Sequence, residues 1–204
     1  MSEYIKFSCE CVAAGITSFG GLAELNAYRR KLLDLHLIGL DPSSVGFGNL
    51  SVRDGATDNF YITGSSTGGI QELTLEDCAK VVACDFKMNR LRYEGSALPS
   101  SESLTHAAIY ESDAGTGAVI HCHDSKLWAT LLNQAPTTST AADYGTPEIA
   151  NEIMQLFTRI NLRSRKIIVM AGHEGGIVTF GKDLEEAFAV LVRERTKFVG
   201  ESKW

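Results

Sequence analysis

The segment Ala118-Val119-Ile120-His121-Cys122-His123-Asp124 restricts what this chain can fold into more than any other stretch. A short apolar run of this kind reads as a strand, and side chains on a strand alternate between its two faces. His121 and His123 therefore share one face, and Cys122 points to the other as a packed thiol. Two imidazoles at that spacing can grip a single metal ion. An HxH pair can also be a satisfied core pair or a surface coincidence, so the spacing alone leaves three readings open.

A firm site needs a third ligand, and of the five histidines His36, His106 and His173 remain. His36 falls within an apolar helical pattern and is expected to pack or cap there. His106 lies on a predicted helix after Pro99, where it would support the site. His173 follows a predicted strand and sits in Ala171-Gly172-His173-Glu174-Gly175-Gly176, where glycines let an imidazole approach a metal without hindrance. Three histidines with one open position describe a catalytic zinc site.

The rest of the chain supplies a mixed set of elements. Helices are expected over residues 2–14, over 22–37 with Gly39 as the stop, from a Thr74 cap to about Ala83, and from a Ser100 or Ser101 cap to about Tyr110. Further helices are expected over 125–132, from Thr146-Pro147 onward, and from Asp183 to the end. Asp41-Pro42-Ser43-Ser44 reads as a turn and Gly64 to Gly69 as a loop. Strands are expected over 47–53 and 59–63 as hairpin partners, and over 90–93, 118–123, 166–170 and 176–180. This order is no regular βαβ repeat. It points to an α+β fold, or an irregular three-layer arrangement of helices around a central sheet. No repeat or linker divides residues 1–204, so a single domain is expected.

Composition narrows the function classes. Apolar residues make up 44% of the chain, ordinary for a soluble globular protein, and no stretch has the length of a membrane span. The net charge of −6 argues against a broad nucleic-acid surface but leaves room for a locally basic pocket. The start, Met1 to Lys6, lacks a signal pattern, and the five cysteines have no framework spacing. Reduced thiols in a cytoplasmic protein are the expectation.

Three runs occur in order: Gly48-Asn49-Leu50-Ser51-Val52-Arg53, Leu98-Pro99-Ser100-Ser101-Glu102, and Val119-Ile120-His121-Cys122-His123. With Gly145-Thr146-Pro147-Glu148 and Gly181-Lys182-Asp183-Leu184-Glu185-Glu186-Ala187 they resemble the class II aldolase/adducin family, which includes fuculose-phosphate aldolases and ribulose-phosphate 4-epimerases. The resemblance spans roughly residues 22 to 192. It implies a three-layer α/β/α fold on a mostly antiparallel sheet and a divalent metal, zinc by expectation, held by His121, His123 and His173. It also implies Glu102 as acid/base beside the metal. A substrate phosphate would be held by Asn49, Ser100, Ser101 and a Ser/Thr-Gly loop. That loop usually reads ITPSG or ITPTG; here either Ser65-Ser66 or Thr67-Gly68 could provide the grip. Homotetramers are common in the family, and a homotetramer is carried over as an expectation.

Two further departures bear on the site. Glu174 intervenes where the third histidine is usually followed by glycine. Family enzymes also often draw a tyrosine from a C-terminal segment, and none lies beyond Tyr144 here. Asp143 and Tyr144 precede a helix and could reach a substrate, which makes Tyr144 the candidate donor to a leaving aldehyde. The chemistry these residues fit is an aldehyde-lyase reaction on a small, phosphorylated or related ketose, in which the metal stabilises an enediolate. Epimerisation, dehydration or decarboxylation would use the same enolate chemistry. An adducin-like interaction domain without metal is the alternative outside catalysis, and the presence of all three histidines argues against it.

Overall fold

The computed structural model describes residues 5–199. In chain order the elements are β1 (Ser8–Ala13), α1 (Leu22–Asp34), β2 (Gly39–Leu40), β3 (Gly46–Phe47), β4 (Asn49–Arg53), β5 (Phe60–Thr63), β6 (Cys78–Asp85) and β7 (Arg90–Glu94). There follow α2 (Ser103–Ser112), β8 (Ala118–His123), α3 (Ser125–Leu131), α4 (Pro147–Arg159), α5 (Leu162–Arg165), β9 (Ile167–Val169), β10 (Gly176–Gly181) and α6 (Leu184–Val199). Eight strands form one sheet in the order β1-β7-β6-β5-β4-β8-β10-β9, while β2 and β3 make a separate two-stranded ribbon. Every pairing in the large sheet is antiparallel except that of β1 with β7.

The alternation of side chains splits the core into two layers. Val119 of β8 joins Leu104, Ile109, Ile149, Ile153 and Phe157 of α2 and α4 on one face. Ala118, Ile120 and Cys122 join Leu25, Leu32, Leu127 and Leu191 of α1, α3 and α6 on the other. The fold is the expected three-layer arrangement with a mostly antiparallel sheet. Pro147 opens α4 at its first turn, where its missing N–H costs no helix bond, and Ile149, Ile153 and Phe157 form its buried stripe. Cys122 packs in the layer away from the two histidines, as alternation requires.

Several expectations need correction. Of the predicted helix over 2–14, residues 2–4 lie outside the described segment, and Ser8–Ala13 is a strand. It pairs with the edge of β7, and Glu10 reaches Arg90 at 2.5 Å. The Thr74 cap is real but short. The Thr74 amide and hydroxyl both donate to the Asp77 carboxylate at 2.8 Å, yet the helical turn stops at Asp77. Cys78 to Asp85 then extends as an interior strand between β5 and β7, because two free strand edges offer it a full ladder of backbone bonds. α1 ends at Asp34, well before Gly39. His36 lies beyond it, exposed and in the left-handed region at φ 55°, so it does not pack in the helix, and it is not among the imidazoles that converge elsewhere. Ser100 and Ser101 precede the first residue of α2 and are not its cap; Glu102 holds that position.

Gly48 joins the small ribbon to β4 with φ 76°, and a Cβ there would stand 2.3 Å from Ile38. Only glycine allows the chain to turn so tightly into Asn49, which enters the sheet directly opposite His121.

Candidate active site

A cavity of about 340 Å³ opens where β4, β8, the start of α2 and the 64–68 loop meet. All twelve residues singled out from the sequence line it: Asn49, Ser65, Ser66, Thr67, Gly68, Ser100, Ser101, Glu102, His121, His123, Tyr144 and His173.

At its base, His121 and His123 project from one face of β8. The antiparallel β8–β10 pairing places Gly176 opposite His123, which brings the preceding turn and His173 over the same face. The His173 amide donates to Met170, the Gly176 amide donates back to His173, and the Trp128 indole holds the Met170 carbonyl at 2.9 Å. The inserted Glu174 is accommodated in that turn as an exposed residue. The three imidazoles offer ligand atoms all within 4.8 Å of one another, and His123 Nε2 lies 2.9 Å from His173 Nε2.

Burial holds these rings neutral. It pushes His123 and His173 down to about 4, and His121, flanked by both, well below the usual imidazole range. Three neutral imidazoles with converging nitrogens are the donor set that zinc and similar divalent ions accept. The residues present therefore fit a metal.

Glu102 enters from the N-terminal end of α2 and is 2% exposed. Its Oε1 lies 3.8 Å from His121 Nε2 and 3.7 Å from His173 Nε2, while Oε2 accepts the Thr105 hydroxyl at 2.6 Å. Burial raises its pKa to about 7, against the lowering effects of the Thr105 bond and Lys6. A carboxyl with that value, in the absence of a bound cation, can give or take a proton near neutrality.

The other predicted residues surround this centre. Asn49 is buried and its Oδ1 has no partner among the described residues. The Tyr144 ring lies 4.8 Å from the His173 ring, tilted by 51°, and carries the Lys6 ammonium 3.8 Å above its centroid. Asp143 turns outward and pairs with Lys6. The Thr67 hydroxyl donates to the Gly64 carbonyl at 2.8 Å, so it braces its own loop, whereas Ser65 and the exposed Ser66 present toward the cavity. His106 stands apart from the imidazole cluster. Its Nδ1 bonds Ser51 Oγ at 2.7 Å, which in turn meets the Tyr110 hydroxyl at 2.7 Å, and this buried network ties α2 to β4 behind the site.

Sequence reasoning missed the rim. Asp41, Ser44, Val45, Gly46 and Phe47 line the mouth, with the Phe47 ring 5.4 Å from His123. The Asp41 carboxylate accepts the Ser43 and Val45 amides, an Asx turn that Asp-Pro-Ser-Ser foreshadowed without showing where it would point.

Comparison with known proteins bears on this geometry. A sequence model of the family described as Class II Aldolase and Adducin N-terminal domain matches residues 34–194. An L-fuculose phosphate aldolase of Methanococcus maripaludis is 28% identical over 149 residues, 69% of this chain and 76% of that protein. Among solved structures, an L-fuculose 1-phosphate aldolase is 25% identical, with a TM-score of 0.62 over 88% of this chain and 84% of the other. A sugar-phosphate aldolase from Thermotoga maritima shares the fold at 16% identity, with a TM-score of 0.61 over 89% and 96% of the two chains.

Proposed function

The chain belongs to the class II aldolase and adducin N-terminal domain family, and from that premise we propose that it is a metal-dependent aldehyde-lyase acting on a small phosphorylated ketose. The observation that carries the reading is the convergence of His121, His123 and His173 beside the buried Glu102 carboxyl. The family matches alone are compatible with a scaffold; this donor set beside a proton-exchanging group is what a catalyst needs. The similarity to fuculose-phosphate aldolases supports the substrate class.

His121, His123 and His173 would hold the divalent ion, zinc by the nature of its ligands. When bound, such an ion supplies Lewis-acid stabilisation of the negative charge that builds on substrate oxygens as the carbon–carbon bond breaks. The chain's own groups do the rest. Glu102 takes and returns the proton at the substrate carbon, at a site screened from bulk water by its burial. Tyr144, beside His173, gives or receives the proton at the oxygen of the departing aldehyde. Asn49, Ser100, Ser101 and the 65–68 loop hold the phosphate and fix the ketose so that the reacting carbon meets Glu102. The neighbouring surfaces of a homotetramer would complete the mouth of the cavity.

The test is a panel of phosphorylated and free ketoses incubated with the zinc-loaded protein and followed by mass spectrometry. Cleavage of a phosphorylated ketose into two carbonyl fragments is expected. Epimerised or dehydrated products without cleavage would replace the lyase assignment, and a protein that turns over none of them would remove it.

A further inference from the structure

The part of the cavity wall made by the 64–68 loop is gripped by a buried cation that does not itself line the cavity. Arg29 of α1 is fully buried, and its Nη2 donates to the Thr67 carbonyl at 3.1 Å and the Ile70 carbonyl at 2.6 Å. Among the described residues its Nε and Nη1 are buried with no hydrogen-bond partner, and no carboxylate stands within ion-pair distance of it; Asp77 acts on it only through space. A guanidinium enclosed in this way is costly unless an opposite charge compensates it. Holding the segment does not require a charge. Asn26, one turn earlier on α1, clamps the same stretch with neutral bonds in both directions to Leu73, at 2.8 and 2.9 Å.

The cavity lacks what Arg29 has. Among the described residues no lysine or arginine lines it, Lys6 lying over the ring of Tyr144, and its ionisable lining outside the histidines and Tyr144 is the carboxyls of Asp41 and Glu102. The loop in front of Arg29 also has the form of an anion cradle. Ser66 is left-handed at φ 64°, and the Ser66, Gly68 and Gly69 amides donate to no backbone carbonyl among the described residues. In a trans peptide the carbonyl and amide point opposite ways, so a Thr67 carbonyl aimed at Arg29 turns the Gly68 N–H away from it. A side chain on Gly68 would force the neighbouring backbone to move, since a Cβ would sit 2.2 Å from the Gly39 carbonyl oxygen.

We propose that Arg29 is a positioning residue for an anion subsite formed by residues 65–69. It orients the Thr67–Gly68 peptide and supplies, from behind the loop, the positive charge that a phosphate group of the substrate finds nowhere in the lining. This deepens the reading of the cavity as a site for phosphorylated ketoses and rests on it. The substrate's phosphate then joins Asp77 as counter-charge to a buried guanidinium.

Inorganic phosphate, titrated into the full-length zinc-loaded protein and followed by backbone amide NMR, tests this. In the wild type the amides of residues 65–69 shift on saturation, and the Arg29 Nε–H resonance moves with the same Kd. Arg29→Gln, which retains a donor without the charge, weakens phosphate at least about tenfold; Arg29→Lys and Asn26→Ala stay within about threefold. If Arg29→Gln matches the wild type, or weakens phosphate no more than Asn26→Ala, the proposal is overturned and the lyase reading stands. Should Arg29→Gln not fold, the wild-type Arg29 resonance decides: one that stays fixed at saturating phosphate overturns the proposal. A wild type whose 65–69 amides ignore phosphate while zinc remains bound removes the phosphate subsite itself, and the inference with it.

Discussion

The two ends of the cavity are built by opposite means. At one end, side chains converge: His121 and His123 from β8, His173 from the turn before β10, and Glu102 from the start of α2. Those elements belong to, or pack directly on, the paired centre of the sheet. At the other end the proposed working surface is backbone, the 65–69 loop, held in place by Arg29 of α1, while Asn26 bonds Leu73 further along the chain. In the proposed division, chemistry that needs lone pairs in fixed directions falls to side chains on the sheet or at the ends of elements joined to it. Chemistry that needs N–H groups is carried by a loop whose shape depends on a partner elsewhere in the chain.

If the two ends divide the work in this way, substitutions should separate them. The largest effect is expected from His121→Ala, which removes a proposed metal ligand: turnover on the identified ketose should vanish, while phosphate still shifts the 65–69 amides. Loss of both responses would mean that the ends are one structural unit. Next comes Glu102→Gln, which should retain zinc and lower kcat by about 10²–10⁴-fold with little change in KM, measured by steady-state kinetics. Smaller is Gly68→Ala. The Gly39 carbonyl must shift to admit the methyl group, which should cost about 1–3 kcal/mol in chemical denaturation and raise KM for the phosphorylated substrate, with zinc content unchanged.

The smallest effect concerns pH and belongs to the histidine end alone. Burial holds His123 and His173 near 4 and His106 near 3 in the folded protein, against 6.5 for an ordinary imidazole. Between those values the unfolded chain binds protons that the folded chain does not. Stability of the metal-free protein should therefore fall as pH drops from about 6.5 toward 4, and go on falling below 4, where His106 and His121 are still to be protonated. Glu102 acts in the opposite sense, since its raised value near 7 makes the folded state the better proton acceptor above 4.5. One carboxyl opposes several histidines, so the net loss on acidification survives. Thermal melts of chelated protein across that range would show it, and a flat profile would mean that the imidazoles are solvated.

The same contrast explains what could be read from the sequence. The alternation of His121, Cys122 and His123 assigns ring directions because a strand has a period of two residues, and each of the three occupies the face that the period demands. Asn49 and Glu102 were legible through the family resemblance, since each sits in a short run that carries it, at a glycine turn into a strand and at the opening of a helix. Ser8–Ala13 and Cys78–Asp85 were not, because their strand state depends on the free edges of β7 and β5, which no local pattern reveals. Arg29 was invisible for the same reason. It lies on an ordinary helix, and only the long-range approach of residues 67–70 gives its guanidinium anything to hold.

The account turns on whether the three imidazoles bind one cation. Elemental analysis of the purified, zinc-equilibrated protein after removal of free metal measures this most directly. About one zinc per chain is expected by analogy with three-histidine catalytic sites, with occupancy lost in His121→Ala. A folded wild type that emerges free of metal and ignores added zinc, or a His121→Ala protein that keeps full occupancy, would contradict it.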